Sequence, residues 1–142
     1  MTETTTKRFD RVQYDADDSA KMQVLQYLRS RNCIAKVNED DYAVDILAEK
    51  NNHLYAVEVE VKHDWHDEAF PFTTLHIAYR KNKFLHDTRS VYFFVLNHQR
   101  THALVVNGNV VQQARRIVKQ TMHTNAEEFF EIPIEQARLV TL

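Results

Sequence analysis

The run HLYAVEVEVK over residues 53–62 constrains this chain more than any other segment. Its apolar and polar residues alternate. That period predicts a strand with Tyr55, Val57, Val59 and Val61 on one face and Ala56, Glu58, Glu60 and Lys62 on the other. The preceding YAVDILAE (42–49) is rich in strand formers, and KNN (50–52) between the two is a turn signal, so the pair predicts a β-hairpin. CIAKV (33–37) predicts a shorter strand, closed by the polar turn NEDD (38–41). Ahead of it, Val24, Leu25 and Leu28 recur at helical spacing in SAKMQVLQYLRSRN. Acids at Asp15, Asp17 and Asp18 and bases at Arg29 and Arg31 suit the two ends of a helix dipole. A helix is expected over 17–31, with Lys21, Gln23, Gln26 and Arg29 at solvent positions.

Beyond His63 the pattern loosens into HDWHDEAFPF and then resumes. Leu75, Ile77 and Tyr79 alternate again, RKNKFL (80–85) reads as a short helical turn, and SVYFFVLNH (90–98) is apolar on both faces, as in a central buried strand. HALVV (102–106) is its expected partner. NVVQQARRIVKQ (109–120) places Val110, Ala114, Ile117 and Val118 at helical spacing and predicts a helix with a basic outer face. EEFFEIPI (127–134) predicts a strand that Pro133 confines to a sheet edge. Residues 1–14 are polar and read as a flexible arm, leaving 15–142 as one domain.

Composition removes several classes of function. A single glycine, Gly108, cannot build a Rossmann fingerprint or a Walker loop, which excludes nucleotide binding of that kind. One cysteine, Cys33, cannot form an internal disulfide and reads as a small core residue. No apolar run has the length of a signal peptide core or a membrane span, so an intracellular protein with no membrane partner is expected, in the cytoplasm or on nucleic acid. The formal net charge is −2, so an anionic partner has to be held by a local cluster rather than by the whole surface.

The chemistry sits on the hairpin. Glu60 and Lys62 share a strand face, and Asp45 lies between Val44 and Ile46 on the strand before it. Folding the hairpin about 50–52 brings Asp45 level with Glu58 to Glu60. Carboxylates this close repel unless a cation sits between them, and oxygen ligands suit Mg²⁺ or Mn²⁺. A neighbouring lysine then suits an attacking water or a scissile phosphate. The plain alternative is a wet strand face on which Glu58, Glu60 and Lys62 are solvated.

The order helix, strand, strand bearing Asp45, strand bearing Glu60-x-Lys62 resembles the PD-(D/E)XK nuclease superfamily over residues 17–98. The resemblance implies a restriction-endonuclease-like core (α-β-β-β-α-β), a mixed sheet of four to five strands flanked by helices. It also implies hydrolysis of DNA phosphodiesters, with Asp45 and Glu60 as Mg²⁺ ligands, Mn²⁺ as a substitute, and Lys62 as the catalytic lysine. Val44 stands where the name-giving proline would be, and the first helix lacks the glutamate that many members carry there. Glu58, Asp17 and Asp18 are the candidates for an additional acid.

Arg80, Lys81 and Lys83, interleaved with Tyr79 and Phe84, are the candidate nucleic-acid contacts. Arg115, Arg116 and Lys119 read as plain surface, and Lys7, Arg8 and Arg11 as surface or as an arm on a phosphate backbone. His63 and His66 form an H-x-x-H that is a rival zinc motif, read here as a loop bordering the site. Trp65 packs either on the sheet or on a base. The expected function is a Mg²⁺-dependent DNA endonuclease, with a homodimer implied by the resemblance and the 127–134 edge as one place to form it. The alternative is a catalytically silent nucleic-acid- or protein-binding module on the same scaffold, motivated by the missing first-helix acid and the modest net charge.

Overall fold

The structure, a computed structural model, describes residues 18–40, 42–120 and 126–142. The expected arm at 1–14, with Lys7, Arg8 and Arg11, lies outside the described residues, as does Asp17. The chain begins with helix α1 (18–30), which buries Ala20, Val24, Leu25 and Leu28 along one stripe. It ends in a Schellman turn: Asn32 takes φ 69°, its N–H donates to the Arg29 carbonyl, and the Cys33 N–H donates to the Leu28 carbonyl at 3.0 Å. That turn delivers the chain into β1 (Ile34–Val37), which pairs antiparallel with β2 (Ile46–Lys50).

The predicted hairpin is present. β3 (His53–Val61) pairs with β2 in the register Ile46↔Val57 and Lys50↔His53. Asn51 and Asn52 adopt φ 53° and 64°, the two left-handed positions that a type I′ turn demands and asparagine tolerates. β2 begins at Ile46, later than the 42–49 run predicts, so Asp45 is the residue just before the strand.

From β3 the chain leaves the main sheet for β4 (Thr74–Ala78) and a 3₁₀ helix (Tyr79–His86), then returns as β5 (Ser90–Leu96), parallel to β3. β6 (His102–Asn107) pairs antiparallel with β5, and β9 (Arg138–Thr141) with β6. The result is a mixed six-stranded sheet ordered β1-β2-β3-β5-β6-β9. One face packs on α1 through Ile46, Val57, Phe94 and Leu96. The opposite face, with Ala56, Phe93 and Val95, packs against Leu75, Ile77, Phe130 and Ile132 of a second sheet. This is one α/β domain, as the sequence predicts, with the main sheet one strand beyond the expected four to five.

Two expectations are corrected. The helix predicted over 109–120 is a short α2 (Gly108–Gln113) followed by a strand, β7 (Arg115–Lys119). Ala114 is already extended (φ −70°, ψ 151°), and the β-branched Ile117 and Val118 favour pairing with β8 (Glu127–Pro133) over continuing the helix. β8 is also not an edge strand: it runs between β4 and β7. Pro133 is tolerated because it is the last residue of β8, and the next N–H, on Ile134, donates to the Thr73 carbonyl at 3.1 Å. The edge proposed for a dimer contact is therefore covered on both sides.

Asn97, fully buried at the end of β5, ties the loop after β3 to the β5–β6 turn. Its amide nitrogen donates to the Asp67 carbonyl (2.7 Å) and to Thr101 Oγ1 (2.9 Å), and its Oδ1 accepts from the N–H groups of Thr101 and His102. Asn97→Ala leaves several of these groups buried and unpaired, and should cost about 2–4 kcal/mol. Urea denaturation measures that loss as a lower midpoint; a midpoint equal to that of the parent protein would contradict the role given to Asn97.

Candidate functional site

The site forms on the face of β3 that looks toward the second sheet. The register Ile46↔Val57 sets Asp45 beside Glu58, one step beyond the last pair of the β2–β3 ladder. Asp45 Oδ2 accepts the Val59 N–H at 2.8 Å, which fixes the carboxylate at the mouth of the hairpin. Its Oδ1 lies 3.3 Å from Lys21 Nζ. Lys21, a solvent position on the helical wheel, is thus a partner of the site.

Glu58 and Glu60 project from the same face as Lys62, as strand alternation requires. A second amine meets them. Lys81 Nζ lies 3.4 Å from Glu58 Oε2 and 3.8 Å from Glu60 Oε2, and its side chain is only 12% exposed. Lys62 Nζ lies 3.2 Å from Asp64 Oδ1 and 4.9 Å from the centre of the Phe72 ring. The structure therefore gathers Asp45, Glu58, Glu60, Lys21 and Lys81, with Lys62 at the border.

Lys81 comes from the cationic run assigned to nucleic-acid contact, and the 3₁₀ geometry explains why it departs from its neighbours. With three residues per turn, positions three apart eclipse. Arg80 and Lys83 share one row and both are exposed; Lys81 and Phe84 share a second, and Phe84 packs on the core, as do Tyr79 and Leu85 of the third. Arg80 reaches Glu127 at 2.7 Å, and Lys83 lies over the Phe84 ring. The eclipsing of Lys81 with an apolar residue is the signal in the sequence that marks it as inward-facing.

The electrostatics follow from burial. Glu58 is 8% exposed, and burial pushes its pKa up from 4.5 to about 8; Lys81 opposes that rise, while the neighbouring Asp45 carboxylate adds to it. Glu58 in its protonated form is placed to share a hydrogen bond with Asp45. Burial works against the charge on Lys81, but Glu60, Glu58 and Asp45 together outweigh it and hold the amine above the ordinary lysine value. Two acids retain unused capacity: Glu58 Oε1 and Glu60 Oε1 are buried with no hydrogen-bond partner. Such atoms are costly unless a cation or a donor meets them.

The other candidates distribute around this centre. Asp18 is exposed at the start of the described helix and makes no ion pair with the cluster. His63 Nδ1 lies 3.3 Å from His98 Nδ1, and His66 stacks at 4.9 Å on His98. Among the described residues, no group of three His, Cys, Asp or Glu side chains, Asp45, Glu58 and Glu60 included, is set as it stands to hold a metal ion. Trp65 is fully buried and packs edge-on to Phe70, so it belongs to the core. Beside Glu60 and Lys62 opens a cavity of about 250 Å³, also lined by His76, Lys119 and Phe129. Lys119, on the strand that the sequence reads as a helix, reaches His76 Nδ1 at 2.8 Å.

No family model matches the chain, and no curated protein does. Among solved structures, the fold matches the 1.6 Å structure of Hjc, a Holliday junction resolvase from the archaeal hyperthermophile Archaeoglobus fulgidus. The TM-score is 0.53 at 12% identity, over 82% of this chain and 85% of that one. At this identity the likeness establishes the fold. No helix among the described residues is long and apolar enough to cross a membrane.

The raised Glu58 pKa sets a sign for stability. Between pH 4.5, the ordinary value, and about 8, the folded chain keeps a proton that the unfolded chain has released. Stability from this group is therefore full below the unfolded pKa and is lost as pH rises through the folded one. Thermal melts of metal-free protein from about pH 5 to about pH 8.5 should show a falling melting temperature, and Glu58→Gln should flatten that fall. An equally steep fall in the variant would place the titrating group elsewhere.

Proposed function

We propose that this protein is a divalent-metal-dependent nuclease acting on DNA. The observation that carries the reading is the pairing of Asp45 with Glu58 and Glu60 across adjacent strands, with two buried, unpartnered carboxylate oxygens, on a fold shared with a Holliday junction resolvase. Those unused oxygens fit a hard cation, and carboxylate donors suit Mg²⁺, with Mn²⁺ as a substitute. Asp45 and Glu60 would hold it, with Glu58 as the additional acid. When bound, the ion offsets the charge of the scissile phosphate and activates a water for attack on it.

The chain's own residues do the rest. The Val59 N–H orients Asp45, and Lys21 neutralises its outer oxygen. Lys62, next to the 250 Å³ cavity, is placed to meet the phosphate backbone, together with Lys119 across that cavity. Arg80 and Lys83, exposed on one side of the 3₁₀ helix, extend a cationic edge toward a longer strand of DNA. A homodimer would give two such centres for cutting two strands.

A second reading is favoured by one observation: Lys21 and Lys81 already counter the acids without a metal. On that reading the protein is a silent binding module on a nuclease scaffold. Incubation of wild-type protein and Asp45→Asn with four-way junctions, flaps, duplexes and single strands in Mg²⁺, Mn²⁺ or EDTA separates the two. The nuclease reading predicts strand scission that needs the ion and falls by about a hundredfold or more in Asp45→Asn. Binding that ignores metal and yields no scission on any substrate would establish the module instead, and scission in EDTA would contradict the metal-dependent mechanism.

A further inference from the structure

We infer that Lys81, rather than the Lys62 of the E-x-K run, is the amine that serves the carboxylate centre. The inference rests on the nuclease reading for its chemistry, but the placement it assigns is geometric. Lys81 Nζ stands 3.4 and 3.8 Å from Oε2 of Glu58 and Glu60, whereas Lys62 Nζ lies 3.2 Å from the exposed Asp64 and over the Phe72 ring. A lysine with 12% exposure is held in place only if its charge is matched and its stem is packed. Its charge is matched by the two glutamates, and Phe84, on the same side of the 3₁₀ helix, packs against the core.

The unused oxygens define what Lys81 does. Each glutamate turns Oε2 to Lys81 and keeps Oε1 buried without a partner, so one ammonium does not exhaust the acceptors. Lys81 keeps the acids together before a divalent ion arrives and competes with that ion for them. With a divalent ion on the acids, the same ammonium would donate to a non-bridging oxygen of the reacting phosphate. Lys62 instead contributes to holding the DNA strand at the neighbouring cavity, where Lys119 and His76 also stand.

The test is a Mn²⁺ titration of wild-type protein, Lys81→Met and Lys62→Met, read by calorimetry and by melting temperature, with Mg²⁺-dependent cleavage of a branched DNA in parallel. Lys81→Met should bind Mn²⁺ about tenfold more tightly, because a competing cation is gone. Its kcat should drop about a hundredfold or more with KM little changed. Lys62→Met should keep the wild-type Mn²⁺ affinity and raise KM. Should Lys81→Met fail to fold, Lys81→Arg carries the comparison, since the bulkier fixed cation should weaken Mn²⁺ binding several-fold.

Wild-type cleavage that survives Lys81→Met at unchanged Mn²⁺ affinity overturns the inference and leaves the nuclease reading intact. Mn²⁺ binding governed by Lys81 without cleavage of any DNA overturns the nuclease reading and leaves Lys81 in its place. A wild-type protein that neither binds Mn²⁺ nor cuts overturns both.

Discussion

Setting two glutamates, one buried and one half-buried, on the inner face of a central strand is the constraint around which this molecule is arranged. Glu58 and Glu60 lie on β3 beside the chain that connects β3 to the parallel β5, and that chain supplies the Lys81 ammonium that meets both. A carboxylate taken out of water becomes protonated, finds a cation, or costs several kcal/mol. The structure uses the first two solutions together. Burial raises the Glu58 pKa to about 8, and Lys81 is brought down onto both glutamates by the 3₁₀ helix. Replacing both acids by apolar residues would be the simpler way to build a core. On the proposed function, the two oxygens still unpartnered in this cluster are where a cation would be held.

Much of the remaining architecture serves to aim these groups. The Asn51–Asn52 turn fixes the hairpin register, and a shift of one residue would send Glu58 to the α1 face of the sheet. The Schellman turn after α1 leads into β1, and α1 carries Lys21 to Asp45. Asn97 and Trp65 pin the segment after Lys62: the His98 N–H donates to the Trp65 carbonyl at 2.7 Å. The parallel step from β3 to β5, crossed by β4 and the 3₁₀ helix, is what lets residue 81 cover residues 58 and 60.

How much of this the sequence discloses depends on whether local pattern decides the outcome. The α1 stripe, the hairpin and the buried β5 are legible because period and turn chemistry agree there. Asp45 opposite Glu58 follows from the same logic. β7 is not legible: Ile117 and Val118 fit a helical stripe as well as a strand, and the choice is made by β8, a distant partner that pairs Ile117 with Phe129. Pro133 suggests an edge, but a proline at the end of a strand removes no ladder bond, so β8 can be central. Lys81 is misread for a different reason. Its neighbours Arg80 and Lys83 are also cationic, and only the three-residue turn separates its direction from theirs. The acids and Lys62 stand out in the sequence as polar groups on a core strand, while the amine that contacts two of those acids comes from a segment some twenty residues away.

Anomalous diffraction from crystals grown with Mn²⁺ tests the central claim most directly. The account predicts one strong peak within about 2–2.6 Å of carboxylate oxygens of Asp45 and Glu60, and of Glu58 if it is the additional ligand, with Lys81 Nζ displaced but still beside the ion. A peak held by other residues, or saturating Mn²⁺ with no peak and Lys81 still seated on the two glutamates, would contradict it.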